Sequence, residues 1–130
     1  MPLEKVIYQH RGIDHEDERR ALGTAFNGDF DGFTARQVKT YRVHEDSKLG
    51  GNGHYHHYRE LFYVIMGEIE VSLKDTETGE RARYSLRNTD SLMIPALVAH
   101  KFFAKKGTIF VGCSEEPYVS PELNDNKHEF

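Results

Sequence analysis

What this chain can fold into is set by a recurrence of short runs rich in Val, Ile, Phe and Tyr. They are Val6–Tyr8, Phe33–Val43, Leu61–Met66, Ile69–Leu73, Arg81–Leu86, Ser91–Ile94, Lys101–Ala104 and Ile109–Cys113. Gly, Asp, Asn, Ser and Pro fall between most of them, and strands spaced by about ten residues with turn signals read as a sandwich or barrel. No long segment carries a 3.6-residue apolar period, so the expected fold class is all-β. Asp75-Thr-Glu-Thr-Gly79 predicts a hairpin turn with glycine at the left-handed position. Met66-Gly67-Glu68 predicts a tight bend or bulge between two strands. Asp14–Arg20 is a mixed-sign charge run, expected as a solvated loop or, through Leu22, a short helix.

The 130 residues and a hydrophobic fraction of 38% suit one domain with one core, so residues 1–130 are expected as a single domain. The net charge is −4, without a dominant basic stripe, which argues against nucleic acid and against a membrane as partners. Cys113 is the single cysteine, so neither a disulfide framework nor a zinc-finger spacing exists. It lies in an apolar run and reads as a packed core thiol. The first residues, Met1-Pro-Leu-Glu-Lys, lack the apolar stretch of a signal peptide, and a cytoplasmic location is expected.

Chemistry concentrates in His54-Tyr-His56-His57-Tyr58-Arg-Glu60, with His100 following Ile94-Pro95 downstream. On a strand, alternation would aim His54, His56, Tyr58 and Glu60 to one side and His57 outward. Three imidazoles and a carboxylate suit a divalent transition metal, and they equally suit proton transfer. Phe33–Val43 presents Gln37, Lys39 and Tyr41 on one face and Val38, Thr40 and Arg42 on the other; neither is cleanly apolar, as for a strand lining a polar cavity or pairing with another subunit.

His54-x-His56-x3-Glu60-x6-Gly67 resembles the first motif of the cupin superfamily, and Thr89 to His100 resembles the second at Pro95 and His100. Thr89 and Leu97 stand where that second motif carries glycine. The resemblance implies a cupin jelly-roll β-barrel. Within the superfamily, Asp17-Glu-Arg19-Arg20-Ala-Leu22, Gly53-His54-Tyr-His56-His57 and Cys113-Ser-Glu-Glu-Pro-Tyr-Val-Ser-Pro121 are similar to segments of nucleotide-sugar epimerases and ketoisomerases. The nearest likeness is to the C-terminal cupin domain of bifunctional capsular reductase–epimerases. Arg20 replaces a glycine of the first segment.

That resemblance implies an isomerase acting on a nucleoside-diphosphate 4-keto-sugar, in surface polysaccharide or deoxysugar biosynthesis. A base removes the proton beside the ketone and a proton returns to the other face or to another carbon. His54, His56 and Tyr58 are the implied catalytic groups. Arg36, Lys39, Arg42, Phe62 and Phe102 are candidates for the substrate, with Met93 expected beside the two phenylalanines. His54, His56, Glu60 and His100 form the metal reading, for Zn, Fe, Ni or Mn. His54 cannot both bind metal and take a proton with one nitrogen, so the two readings stay side by side. A non-catalytic metal- or sugar-binding cupin, a dioxygenase and a small-sugar isomerase are the alternatives. The resemblance also implies a homodimer, with residues 2–10 as the added or swapped strand.

Overall fold

Each of the eight runs contributes a strand to the computed structural model, which describes residues 3–130. The elements are β1 (Ile7–His10), β2 (His15–Glu16), β3 (Ala21–Leu22), β4 (Gln37–Arg42), β5 (Ser47–Tyr55), β6 (Glu60–Met66), β7 (Glu68–Asp75), β8 (Arg81–Arg87), β9 (Asp90–Ile94), β10 (Val98–Ala104), β11 (Ile109–Ser114), α1 (Pro121–Asn124) and β12 (Asn126–Lys127). Two five-stranded antiparallel sheets carry the architecture, in the orders β1-β9-β6-β11-β4 and β12-β5-β10-β7-β8. This is the all-β jelly roll expected.

Alternation builds the core. Ile69, Val71 and Leu73 of β7 point inward while Glu68, Glu70 and Ser72 are half-buried on the outside. They meet Phe62, Val64, Leu92, Ile94 and Phe110 of the other sheet in one apolar cluster. Burial of such side chains, at about 25 cal/mol per Å² removed from water, holds the two sheets face to face. At Gly67 the chain passes from one sheet to the other with φ at 107°, and a side chain there would overlap Thr108. Gly79 takes φ 78° and closes the turn back to the Asp75 carbonyl at 2.8 Å, as the sequence predicts.

Four expectations change. Residues 14–22 form the β2–β3 hairpin and not a helix. The Asp17 carboxylate accepts from the amides of Arg19 (2.8 Å) and Arg20 (3.1 Å), an Asx-type turn that competes with helix formation. The strand within 33–43 starts at Gln37, because Phe33 is buried with Phe26, Phe30, Leu61, Met93 and Cys113 on the outer face of the first sheet. Met93 is therefore under this loop and not in the cavity. Finally, His54, His56, Tyr58 and Glu60 do not share one strand: β5 ends at Tyr55, residues 56–59 cross between the sheets, and Glu60 opens β6. Of the proposed dimer strand, residue 2 lies outside the described residues, and β1 pairs with β9 of its own chain.

Candidate active site

The crossover at 56–59 is what brings the site together. Arg59 anchors it, bonding Glu115 through Nε (3.0 Å) and Nη2 (2.6 Å) and donating to the Asp31 carbonyl at 2.8 Å. Both nitrogens donate to Oε2, while Oε1 accepts from the Arg59 amide at 2.7 Å, so one carboxylate fixes side chain and backbone together. Arg59 thereby holds the segment so that His56 and Tyr58 turn into the barrel mouth. On the second sheet, His100 of β10 lies directly across the ladder from His54 of β5. On the first, Glu60 lies across from Ser114, whose hydroxyl is 3.3 Å from Glu60 Oε2.

Three imidazoles and one carboxylate converge. The ring centroids of His54 lie 4.9 Å from His56 and 4.5 Å from His100. Every Nδ1 faces a backbone carbonyl: Gly50 at 3.1 Å for His54, Asn124 at 2.6 Å for His56 and Val98 at 3.2 Å for His100. A carbonyl only accepts, so each Nδ1 carries a hydrogen and each neutral ring keeps its lone pair on Nε2. Glu60 Oε1 stands 3.2 Å from His56 Nε2 and 3.4 Å from His100 Nε2. Two lone pairs aimed at one carboxylate oxygen call for a positive centre between them, a proton or a metal ion. The His54, His56 and His100 ligand atoms lie within 4.8 Å of one another and could hold a metal. Imidazoles whose other nitrogen is fixed by a carbonyl are the usual form of such ligands.

The protons divide unequally. Burial works against a charge on His56, but Glu60 and the Asn124 carbonyl more than offset it and raise its pKa. His100 is fully enclosed, and burial lowers its pKa to about 4. Burial also opposes the Glu60 charge, yet the bond to His56 and the neighbouring rings hold that carboxyl below its ordinary value. The two partners of Glu60 thus shift in opposite directions. The proton belongs to His56, which has the shorter contact.

Around the cluster is a cavity of about 180 Å³, whose lining includes Gln37, Lys39, Tyr41, Tyr58, Phe62, Phe102, Ser114, Tyr118 and Asp125. Tyr58 stacks on His56 with centroids 4.8 Å apart. Phe62 and Phe102 form its apolar floor, edge to face at 4.9 Å. Lys39 is the one Lys or Arg among the lining residues, with Nζ 4.2 Å from the Tyr118 ring centroid. Arg36 and Arg42 are not there. Their parity on and before β4 turns them outward, where Arg36 pairs with Glu116 at 3.2 Å and Arg42 is exposed. His57 is exposed as expected, though it lies on the crossover and not on a strand. Gln37 and Tyr41 share the face of Lys39, so alternation along β4 carries them into the cavity with it. Ser114, Tyr118 and Asp125 come from the end of β11 and beyond, and no local pattern marks them.

A groove of about 500 Å³ adjoins the cavity, lined by Gly50, Gly51, Asn52, Gly53, His54, Pro121, Asp125, Lys127 and Glu129. Gly50, His54 and Asp125 belong to both. Among the described residues, no helix is long and apolar enough to cross a membrane.

No protein-family model matches this chain, and no curated protein does. Solved structures do. The QdtA 3,4-ketoisomerase of Thermoanaerobacterium thermosaccharolyticum, in complex with TDP-4-keto-6-deoxyglucose, superposes with a TM-score of 0.77 over 98% of this chain and 90% of that one, at 17% identity. The WlaRB TDP-quinovose 3,4-ketoisomerase of Campylobacter jejuni gives 0.77 over 95% of each chain at 13% identity. The chain has the cupin fold. The ChmJ 3'-monoepimerase of Streptomyces bikiniensis, bound to dTDP-quinovose, gives 0.75 over 88% of this chain and 65% of that one, at 14% identity. Identities this low carry the fold and leave the chemistry to the residues described above.

Proposed function

We propose that this protein is an isomerase of a nucleotide-linked 4-keto-sugar, moving the proton beside the ketone so that a stereocentre inverts or the ketone relocates, in surface polysaccharide or deoxysugar biosynthesis. The observation that carries the reading is the convergence of three inward Nε2 atoms, the Glu60 carboxylate and the Tyr58 hydroxyl on one small cavity. Its volume of about 180 Å³ is below the roughly 300 Å³ at which drug-sized pockets begin, so it suits one sugar ring. The adjoining groove offers room for the nucleotide. Solved structures with this fold include ketoisomerases and an epimerase of TDP- and dTDP-sugars, which supports the choice of substrate class.

The ketone acidifies the neighbouring C–H. His54 accepts that proton on Nε2, because its Nδ1–H is engaged with the Gly50 carbonyl and keeps the lone pair facing the cavity. His56, its two N–H groups engaged with the Asn124 carbonyl and with Glu60, is a fixed positive charge beside the oxygen on which negative charge develops. Tyr58, stacked on His56, is the hydroxyl placed to return a proton. Phe62 and Phe102 exclude water beneath the ring. His54, His56, His100 and Glu60 would hold a divalent metal (Zn, Fe, Ni or Mn). When bound, that ion would polarise the ketone and stabilise the enediolate. With its Nε2 in use as a ligand, His54 has no lone pair left for a proton.

A second reading has its own observation. Glu60 and Asp125 line the cavity, and apart from the His56 proton shared with Glu60 only Lys39 opposes them, a balance with no spare positive charge for a diphosphate. This favours a metal- or sugar-binding cupin without turnover, or another metal-dependent cupin enzyme. Incubation with TDP-4-keto-6-deoxyglucose, followed by proton NMR, separates the readings. A relocated ketone or an inverted centre is expected. Binding with an unchanged sugar spectrum would leave the second reading standing.

A further inference from the structure

The Arg59 anchor directs His56 and Tyr58 inward, and a short segment between β11 and β12 holds their polar ends. Residues 118–125 fold back over the cavity through α1, capped by Ser120, whose hydroxyl accepts from the Leu123 amide at 3.3 Å. Asn124 is the hub. Its Oδ1 accepts from the amides of Val119 (2.7 Å) and Ser120 (3.1 Å). Its Nδ2 donates to the Pro117 carbonyl (3.1 Å) and to the Tyr58 hydroxyl (3.2 Å). Its own carbonyl accepts from His56 Nδ1 at 2.6 Å. A carboxamide has two donors and two acceptor lone pairs, and all four are used here in a residue only 7% exposed.

We infer that Asn124 is a positioning residue: it clasps segment 118–125 onto the cavity so that the segment's carbonyl sets the His56 ring and its amide sets the Tyr58 hydroxyl. The inference rests on the proposed isomerase for its catalytic meaning, though not for its geometry. Asp125 extends the clasp, accepting from the Tyr118 hydroxyl at 2.9 Å and approaching His56 Nδ1 at 3.7 Å. Tyr118 in turn carries Lys39 on its ring. Three cavity residues, His56 and Tyr58 on the crossover and Lys39 on β4, thus rest on segment 118–125 outside both sheets. Asn is the residue this role needs. Asp at 124 keeps the acceptors and loses both donors, leaving the Pro117 carbonyl unpaired. Ala loses all four bonds.

The test compares metal-free wild type with Asn124→Asp and Asn124→Ala, using Gly67→Ala as a variant loosened far from the clasp. The first readout is the ring N–H signals of the histidines by nitrogen-resolved NMR, without substrate. The clasp predicts that the His56 Nδ1–H exchanges with water at least tenfold faster in both Asn124 variants, while that of His100, held by Val98, is unchanged. Asn124→Asp, nearly isosteric, keeps the comparison usable if Asn124→Ala does not fold. The second readout is turnover of TDP-4-keto-6-deoxyglucose, with kcat expected to fall tenfold or more and KM to stay within threefold. A folded Asn124→Asp with an unaltered His56 signal would overturn the inference. So would a uniform change at His54, His56 and His100 matching that of Gly67→Ala. Absence of product from wild type, with the His56 signal still responding to Asn124, counts against the isomerase and leaves the clasp in place.

Discussion

His56 and His100 face the same Glu60 oxygen from 3.2 and 3.4 Å, and their environments drive them apart. His56 has a carbonyl at 2.6 Å on its far side and keeps a proton; His100 is enclosed and stays neutral, its pKa lowered to about 4. The consequence for stability has a definite sign. Between pH 6.5 and 4 the unfolded chain protonates His100 and the folded chain does not, so stability falls as pH falls through that window. His56 acts in the opposite sense: its raised pKa contributes stability present below 6.5 and lost as pH rises through its folded value. Glu60, with its pKa lowered, contributes stability that is fully present above its unfolded value of 4.5 and is lost only as pH falls below it. Urea unfolding of chelator-treated protein between pH 6.5 and 4.5 therefore isolates the histidines. The midpoint of His100→Gln should change with a less positive slope than that of wild type. Equal slopes would mean that His100 is not held neutral.

At the scale of elements, turns carry the departures from the motif that the sequence resembles. Thr89 and Leu97, standing where the second motif has glycine, hold left-handed backbones with φ of 68° and 67°. Such a conformation costs an ordinary residue about 1–2 kcal/mol, and here hydrogen bonds keep it. Thr89 donates to the Asn88 carbonyl at 2.6 Å and accepts from the Gly12 amide at 3.2 Å. Leu97 donates its amide to the His56 carbonyl at 2.9 Å and accepts from the Thr76 hydroxyl at 2.6 Å. The Leu97 turn thus ties the crossover to the strand that bears His100. Leu97→Gly relieves strain but gains freedom in the unfolded chain, and should stay within about 1 kcal/mol of wild type. Leu97→Val places a β-branched side chain at positive φ and should cost about 2 kcal/mol. Chemical denaturation checks the order, which reverses if the turn is free to rearrange. The β2–β3 hairpin shows the same dominance of local bonds, since Asp17 spends its carboxylate on two turn amides that a helix would need.

For the molecule as a whole, the strands legible in the sequence were those with a branched or aromatic stripe, such as Ile69–Leu73 and Ile109–Cys113, because burial selects them. β5 was not legible. Its Ser47-Lys-Leu-Gly-Gly-Asn-Gly stretch has no apolar alternation, and pairing with β10 and β12 imposes the strand. Within the site, His54, His56, Glu60 and His100 were found by spacing, but for an incomplete reason: a crossover between sheets, not one strand face, aligns them. On β4 the two faces were readable and the choice between them was not. Lys39 went in and Arg42 went out because Tyr41, on the Lys39 side, stacks on Phe110 at 4.2 Å. The contribution of Asn124 had no local signature, since it acts through contacts with residues more than sixty positions away. The proposed isomerase moves a proton beside a sugar ketone. Its most direct test is deuterium uptake from solvent into TDP-4-keto-6-deoxyglucose, read by NMR for wild type and His54→Asn side by side. Wild type should take up deuterium at the carbon next to the ketone, and His54→Asn should do so at a rate at least a hundredfold lower. No uptake with wild type, or equal uptake with both, would contradict it.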